Sequence, residues 1–370
     1  MTDWREAAAS IEALEAARLD AGLVARLQAA PARARAINFY TPTFKAYSTS
    51  EIASCGKNAW PAVSITGSEC KLQCDHCKAK ILEPMIAART PEALWRVVNE
   101  QIEAGAKGML LTGGSNHRDE VEYGAFLPTV RRIKDAFPHF RIAVHASLVE
   151  RDMALRLEAS GIDAAMLDVI GAQDTVAQVY HLRRPVADFE RSLEHLVGTS
   201  LKVVPHIVLG LHYGRMLGEW NALEMIARHR PAALVLVVVM PFYAPEGRPF
   251  VTPASHEVGR FFLDARAALP ETPILLGCAR PAGRVKAEID AYAVMAGLEG
   301  IAHPADGAVE LALELGREVK VTPACCSIAV GEEVLALEDP SAPRIDPRLV
   351  AEAERRGRAR RLARIPIVAE

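Results

Sequence analysis

The sequence predicts an α/β fold in which eight parallel strands alternate with eight helices in a TIM-type barrel. Two observations support this prediction: apolar runs of strand length recur eight times, and a segment with helical periodicity follows each run. The length of 370 residues fits either two domains of ordinary size or one α/β barrel with extensions. Because eight is the number of strands in such a barrel, we favour the single barrel.

The predicted elements follow one another regularly from residue 62 onward. The strand-length runs lie at 62–66, 108–112, 140–145, 163–169, 202–209, 233–240, 273–278 and 300–303. The helical segments lie near 90–104, 122–137, 150–160, 186–197, 218–229, 254–269, 283–296 and 306–317. Before them, 3–30 predicts one or two helices and 31–61 predicts irregular structure. We therefore divide the chain into an N-terminal helical and irregular extension at 1–60, a barrel at 61–317 and a C-terminal segment at 318–370.

Composition excludes several classes of protein. The 43 basic and 46 acidic residues give a net charge of −3, which excludes a broad nucleic-acid-binding surface as the main feature. The longest apolar run, from Ala232 to Met240, is shorter than the ~20 residues that span a bilayer, and no apolar signal segment follows Met1. We expect a soluble cytoplasmic protein that binds neither nucleic acid nor membranes. The six arginines from Arg355 to Arg364 predict a solvated surface helix, with contact to an acidic partner as the alternative.

Three of the seven cysteines lie close together, directly after the first predicted strand. Cys70, Cys74 and Cys77 have the spacing Cys-x3-Cys-x2-Cys, with no fourth cysteine nearby. Three thiolates can bind three irons of a [4Fe–4S] cubane and leave the fourth iron open to another ligand. The alternative is a zinc site with His76 as fourth ligand, but His76 lies between two ligands on a tight loop, so its ring should point away. Because loops after barrel strands form the catalytic rim, we predict an iron–sulfur cluster at this rim.

This motif resembles the signature of the radical S-adenosylmethionine (SAM) superfamily, with His76 in its aromatic position. Two later segments are also similar to that family: Tyr180 to Arg184 resembles the segment of biotin synthase that supplies an arginine to the SAM carboxylate, and His206 to His212 resembles the Gly-x-Ile-x-Gly motif near adenine. A third, Thr112 to Ser115, resembles the Gly-Gly-Glu stretch that meets the methionine amino group, with serine in place of the acid. The SAM-binding residues expected in this way are Gly113, Gly114, Ser115, Arg184, Val208 and Gly210.

Two polar residues close neighbouring predicted strands. Asp168 and His145 end the fourth and third strands and therefore point toward the rim. We expect Asp168 to contact SAM, and either residue is a candidate for contact with SAM or substrate. The alternative is an ordinary capping role.

The eight-strand barrel points to the biotin-synthase branch of the superfamily. Within it, the segments Phe39 to Phe44, Pro61 to Gly67 and Pro323 to Cys326 resemble the biotin-synthase-like subunits of two-component lipoyl synthases. The resemblance implies that SAM is cleaved to a 5′-deoxyadenosyl radical and that sulfur is inserted into a C–H bond of a protein-bound octanoyl chain. It also implies an octanoylated lipoyl-carrier protein as substrate, a second radical SAM lipoyl synthase subunit, and ferredoxin or flavodoxin as electron donor.

Other functions stay open beside that of a lipoyl synthase. One is that of another biotin-synthase-like radical SAM enzyme, a mutase or a cofactor-maturation enzyme, that inserts no sulfur. Another, from a different class, is that of a non-catalytic iron–sulfur scaffold or a zinc-binding partner protein. The glycine pair and the fifth-strand motif argue against that class, because a scaffold does not need a SAM pocket.

The other four cysteines are Cys55, Cys278, Cys325 and Cys326, which is the complement of a second [4Fe–4S] cluster. Cys278 ends the seventh strand and therefore lies at the rim. Cys325 follows the last predicted helix, and the segment between them, at ~3.3 Å per extended residue, is long enough to return to the rim. Cys55 precedes the first strand, and two adjacent cysteines are awkward ligands for one cubane. The alternative is that these cysteines are buried apolar residues. We predict the second cluster, which the resemblance implies is the sulfur source.

Overall fold

All eight predicted strands form, and they lie in chain order within one curled sheet. The computed structural model describes residues 12–30, 36–42, 47, 49–52, 59–240, 247–328, 345, 348 and 365–368. Within them the strands are β1 Leu19–Asp20, β2 Ala36–Tyr40, β3 Ala62–Ser64, β4 Ile86–Ala87, β5 Gly108–Thr112, β6 Arg141–His145, β7 Ala164–Asp168, β8 Lys202–Leu209, β9 Leu234–Val238, β10 Ile274–Leu276, β11 Gly300–Ala302, β12 Glu318–Thr322 and β13 Ile367–Val368. Eleven of these form the main sheet, in the order β12-β2-β11-β10-β9-β8-β7-β6-β5-β3-β4.

Helices connect successive strands, as the alternation of the sequence predicts. They are α1 Ala21–Ala29, α2 Pro91–Glu103, α3 Leu127–Ala136, α4 Arg151–Ala159, α5 Gln173–Gln178, α6 Ala187–Val197, α7 Glu219–Ala227, α8 Ser255–Ala268, α9 Arg284–Met295 and α10 Ala308–Glu314. The start of α2 shows how the sequence sets these bounds, because Thr90 accepts a hydrogen bond from the Ala93 N–H and Pro91 occupies the first turn. The parallel pairing and the alternating helices confirm the predicted barrel class. None of the described helices is long and apolar enough to cross a membrane.

Two strands of the main sheet lie outside the predicted barrel range. Strand β2, in the stretch predicted to be irregular, pairs with β11 on one side and with β12 on the other. The polar Asn38 interrupts the apolar pattern of β2, but its side-chain oxygen accepts a hydrogen bond from the Thr322 hydroxyl at 3.0 Å. Among the described residues no ladder joins β12 to β4, so hydrogen bonding ends at these two strands. The sheet thus extends beyond 61–317 at both ends, while the division into domains stays a prediction.

Side chains from most strands of the curled sheet meet in its interior. This interior cluster consists of Tyr40, Trp60, Ala143, Ala164, Met166, Val204, Ala233, Val235, Leu275, Ala302, Ala324, Cys326 and Ile328. Space for its largest member depends on Gly108, since a Cβ atom there would lie 2.3 Å from the Trp60 ring. The curl brings the carboxyl ends of the parallel strands together, which is the edge where the predicted site residues lie.

Candidate functional site

The cysteine loop, residues 65–79, follows β3 at the carboxyl edge of the sheet. Cys74 is buried, whereas Cys70 and Cys77 are half-buried. The N–H groups of Cys77 and Lys78 both donate to the Cys74 carbonyl oxygen, at 3.2 and 2.9 Å, and so form a tight turn around this residue. The Cys70 sulfur lies 3.8 Å from the Ser115 carbonyl oxygen of the loop that follows β5. The loop therefore brings the Cys70 thiol next to the following loop of the rim.

Asp75, between two of the cysteines, anchors the loop to two other parts of the chain. Its N–H donates to the Val179 carbonyl oxygen at 2.9 Å. Its carboxylate accepts hydrogen bonds from Lys78 at 2.5 Å, from the Tyr213 hydroxyl at 2.8 Å and from His181 at 3.0 Å. Although burial opposes ionisation, these hydrogen bonds lower the pKa of Asp75. Nothing in the sequence pattern indicates this role, because Val179, His181 and Tyr213 lie more than a hundred residues away.

The loop after β5 packs directly on the cysteine loop at Gly114. A Cβ atom at this position would lie 2.0 Å from the Glu69 carbonyl oxygen and 2.7 Å from the Cys70 Cβ. The Gly114 N–H donates to the Thr66 hydroxyl at 2.7 Å. At Gly113 a Cβ atom would lie 2.8 Å from the Ile65 side chain. Both glycines thus permit close packing of the two loops, and their contact with SAM stays a prediction.

The donor set of the cysteine loop fits an iron–sulfur cluster better than a single zinc ion. Four-coordinate zinc holds sulfur ligands ~3.8 Å apart at its usual bond length, whereas in a cubane each thiolate binds its own iron. Among the described residues, the group of ligand atoms found within 4.8 Å of one another contains neither these cysteines nor His76. Burial, and then the neighbouring thiols, raise the pKa of Cys74, and burial raises that of Cys77 to about 11. A positively charged cluster would favour the thiolates at this place.

The imidazole of His76 packs on an aromatic ring. Its centroid lies 5.2 Å from that of Tyr180, and burial lowers the pKa of His76. The Nδ1 atom is buried and has no hydrogen-bond partner among the described residues. His76 therefore lies in a neutral form against the ring of Tyr180.

A buried carboxyl group stands beside Ser115, where the resemblance expects an acid. The Ser115 hydroxyl donates to Asp119 at 2.9 Å and lies 3.3 Å from the Ser147 hydroxyl. Burial raises the pKa of Asp119 to about 7. The backbone of Asp119 is in the left-handed region, with φ of 59°, and the residue is buried. The sequence reasoning missed Asp119, because the acid lies four positions after the residue that matches the motif.

Arg184, the expected arginine of the SAM site, lies among acidic side chains. Its guanidinium is 3.5 Å from Asp188, 3.7 Å from Glu120 and 4.0 Å from Glu150. Glu120 directly follows Asp119, so Arg184 lies near the loop after β5. The role of Arg184 toward SAM stays a prediction.

Three polar side chains meet at the ends of β6, β7 and β8. His145, Asp168 and His206 place one ligand atom each within 4.8 Å of the other two, and Nε2 of His145 lies 3.6 Å from Oδ1 of Asp168. Burial opposes ionisation of Asp168, but hydrogen bonding to His145 lowers its pKa to about 2. Burial lowers the pKa of His206 to about 4. On β8, Val208 is half-buried, and Gly210 has a positive φ of 75°. Contact of Asp168, Val208 and Gly210 with SAM stays a prediction.

The structure brings three of the four additional cysteines to the interior. Cys326 belongs to the interior cluster, and Cys278 and Cys325 pack against it. The chain returns to the rim through β12, which runs parallel to β2 and ends at Thr322. A hydrogen bond from the Cys326 thiol lowers the pKa of Cys325, and the same contact raises that of Cys326. Cys55 and the arginine cluster lie outside the described residues.

Comparisons with known proteins show the fold. No protein-family profile matches this sequence, and no curated protein matches it either. The structure of methylornithine synthase (PylB) is similar with a TM-score of 0.53 and 14% identity, covering 78% of this chain and 80% of that one. The structure of HydG, a maturase of the [FeFe]-hydrogenase, is similar with a TM-score of 0.53 and 13% identity, covering 82% and 68%. This chain therefore has the α/β barrel fold of these two enzymes.

Proposed function

We propose that this chain is a radical SAM enzyme whose cysteine loop holds a [4Fe–4S] cluster. The observation that carries the proposal is the placement of Cys70, Cys74 and Cys77 on the loop after β3, at the carboxyl edge of the sheet. The fold similarity to PylB and HydG supports it. When bound, the cluster and SAM supply a 5′-deoxyadenosyl radical, which removes hydrogen from an unactivated C–H bond.

The residues of the chain position these groups and keep water away. Asp75 fixes the cysteine loop through its hydrogen bonds to Tyr213 and His181, so the three thiols keep one arrangement. Gly114 lets the loop after β5 approach the cysteine loop closely. In that same loop, Asp119 accepts the hydrogen bond of the Ser115 hydroxyl and so fixes its orientation. The interior cluster gives the substrate an apolar surrounding that excludes water from the reacting groups.

We further propose sulfur insertion into a protein-bound octanoyl chain, with Cys278, Cys325 and Cys326 as ligands of an auxiliary cluster. These three cysteines lie at the interior cluster, where an apolar chain would also lie. Hydrogen bonding lowers the pKa of Cys325, which favours a thiolate ligand. An octanoylated lipoyl-carrier protein would then be the substrate, a second radical SAM subunit would share the two insertions, and ferredoxin or flavodoxin would donate electrons.

The alternative is a radical SAM reaction without sulfur insertion. It is favoured by the fold similarity to a methylornithine synthase and a hydrogenase maturase, and by the fact that the described part of the chain contributes only three additional cysteines to the interior.

The radical assignment is tested with the triple variant Cys70→Ala, Cys74→Ala and Cys77→Ala. We expect no 5′-deoxyadenosine from SAM with a low-potential reductant, because the cluster has lost its protein ligands. The single variant Cys278→Ala is the matched control and should still form 5′-deoxyadenosine. Substantial SAM cleavage by the triple variant would exclude the radical SAM assignment.

Sulfur insertion is tested with the variant in which Cys278, Cys325 and Cys326 are replaced by alanine. We expect 5′-deoxyadenosine to form while an octanoylated carrier substrate gains no sulfur, and iron per chain should fall from about eight to about four. A variant that retains both its iron and its thiolated product would show that these cysteines only fill space. Wild-type protein that binds about four irons would favour the reaction without sulfur.

A further inference from the structure

We propose that His145, Asp168 and His206 form a binding site for one divalent first-row transition-metal ion inside the barrel. The three ligands are distinct from the cysteines, although Asp168 lies beside the cysteine loop: its Oδ2 is 3.5 Å from the hydroxyl of Tyr180, whose ring packs on His76. The proposal does not depend on the radical chemistry. Two imidazoles and one carboxylate are a donor set that binds Fe²⁺, Mn²⁺, Co²⁺ or Zn²⁺ while leaving positions open to other ligands.

The sheet register brings the three side chains together. Strands β6, β7 and β8 are neighbours, and Asp168 is the direct ladder partner of His206. His145 pairs with Met166, two residues before Asp168 and therefore on the same face of β7. Met166 belongs to the interior cluster, so this face points into the barrel. Three adjacent, rigid strands thus hold the three groups at the carboxyl edge.

The distances suit one ion. Nε2 of His145 and Oδ1 of Asp168 are 3.6 Å apart, and the three ligand atoms all lie within 4.8 Å of one another. Ligands bound at ~2.1 Å to one metal are separated by ~3.0 to 3.4 Å in octahedral or tetrahedral geometry. Small side-chain rotations would therefore complete the site without movement of the backbone.

The second nitrogen of His206 already has the partner that a metal-bound histidine usually has. Its Nδ1 lies 3.1 Å from the Val204 carbonyl oxygen, which can only accept a hydrogen bond, so Nδ1 carries the proton. In the neutral ring, Nε2 then has a free lone pair. Such a hydrogen bond to a backbone carbonyl fixes the tautomer and orientation of metal-binding histidines.

The site is open on one side. The side chains of His145 and Asp168 retain 30% and 27% exposure, whereas His206 is buried. A structural metal site is closed by four protein ligands, while an open site with three protein ligands leaves room for water or substrate. The ion would therefore hold an oxygen or nitrogen atom of the substrate at the rim. This role differs from the contact with SAM that the sequence predicts for Asp168.

Mn²⁺ is the probe that separates this site from the cysteines, because thiolates bind this ion poorly and carboxylate and imidazole bind it better. The full chain is reconstituted anaerobically with iron and sulfide, and a chelator then removes loosely bound Fe²⁺, which would otherwise occupy the site ahead of Mn²⁺. The protein is titrated with Mn²⁺, and free ion is followed by electron paramagnetic resonance. We expect one Mn²⁺ per wild-type chain, displaced by Zn²⁺. The variants His145→Gln, Asp168→Asn and His206→Gln should each weaken binding by about tenfold or more.

The matched control is His212→Ala, which removes a histidine that follows the same strand and contacts Thr175 at 3.2 Å, outside the cluster. It should bind Mn²⁺ like the wild type, and circular dichroism should show that every variant is folded. The proposal is overturned if wild-type protein binds no Mn²⁺, or if Asp168→Asn and His206→Gln bind it unchanged. A loss of SAM affinity in Asp168→Asn with unchanged Mn²⁺ binding would assign this residue to SAM instead. Because 5′-deoxyadenosine formation is measured separately, failure of the metal site is distinguishable from failure of the radical assignment.

Discussion

The substitution Gly114→Ala tests whether packing between two loops sets the position of the proposed cluster ligands. The added Cβ atom would lie 2.0 Å from the Glu69 carbonyl oxygen and 2.5 Å from the Cys70 Cα, where ordinary contact begins at 3.4 Å. The backbone of the cysteine loop must therefore shift by about 1.4 Å, the difference between 3.4 and 2.0 Å. Since both contacts are backbone atoms, no side-chain rotation can relieve the clash. Overpacking of this kind costs ~1–3 kcal/mol of stability, and a shift of ~1 Å at a reacting group costs ~100-fold in rate.

Iron content after anaerobic reconstitution, urea unfolding and 5′-deoxyadenosine formation measure the three consequences. We expect Gly114→Ala to remain folded, to bind clearly less iron than the wild type and to form 5′-deoxyadenosine about 100-fold more slowly. The matched control is Gly124→Ala, whose Cβ atom would meet only the Arg156 guanidinium, at 3.2 Å, and which should behave like the wild type. Wild-type iron content and wild-type rate in Gly114→Ala would refute the argument that loop packing positions Cys70.

Three further predictions concern stability. Arg280→Met should lower the free energy of unfolding by ~3–5 kcal/mol in urea, since it leaves the fully buried Asp290 carboxylate unpaired; a loss below ~1 kcal/mol would contradict this. Glu51→Gln should lower the melting temperature, because Glu51 accepts three N–H bonds at the start of α10 and an amide oxygen cannot replace both carboxylate oxygens; an unchanged value would contradict it. A hydrogen bond from Arg228 lowers the pKa of Glu190 below 4.5, so its contribution is present above that value and lost as pH falls further. Glu190→Gln should thus cost under ~1 kcal/mol near pH 7 and progressively less as the pH falls below 4.5, and a cost that does not change with pH would refute the ion pair.

Hydrophobic pattern alone predicts the strands that are buried on both faces. Strand β8 shows the reason, because Val203, Val204 and Ile207 are all buried and form a nearly continuous apolar run. The cysteine spacing is equally local, since a cluster loop needs its ligands within a few residues. Both signals depend on neighbours in sequence, which is why sequence reasoning finds them.

Features that depend on distant partners could not be predicted. Strand β2 is not recognised from the sequence because the polar Asn38 interrupts its apolar pattern. The hydrogen bond that satisfies Asn38 comes from Thr322, which is 284 positions away. Asp75 is likewise an unremarkable loop residue until Tyr213 and His181 are placed beside it. Asp119 lies four positions after the residue that matches the motif, and it is buried beside Ser115 in a left-handed turn that the motif does not predict. For Asn38 and Asp75, a polar group is satisfied by a partner that only the fold brings near.

The barrel interior contains two sets of donor atoms, the sulfur atoms of three cysteines and the nitrogen and oxygen atoms of His145, Asp168 and His206. The two sets favour different metals, so measuring iron and Mn²⁺ binding in the same variants shows whether the sets act separately. Burial lowers the pKa of His145, but the hydrogen bond and charge of Asp168, followed by the charges of Asp119 and Cys325, raise it overall, so Cys325 lies near this imidazole. If the sulfur and the nitrogen–oxygen donors serve separate groups, replacing Cys278, Cys325 and Cys326 removes iron and leaves Mn²⁺ binding intact. If His145 instead supplies the missing ligand of an auxiliary cluster, His145→Gln lowers the iron content, whereas His206→Gln does not. Comparison of His145→Gln with His206→Gln therefore decides whether His145 belongs to the proposed metal site or to an auxiliary cluster.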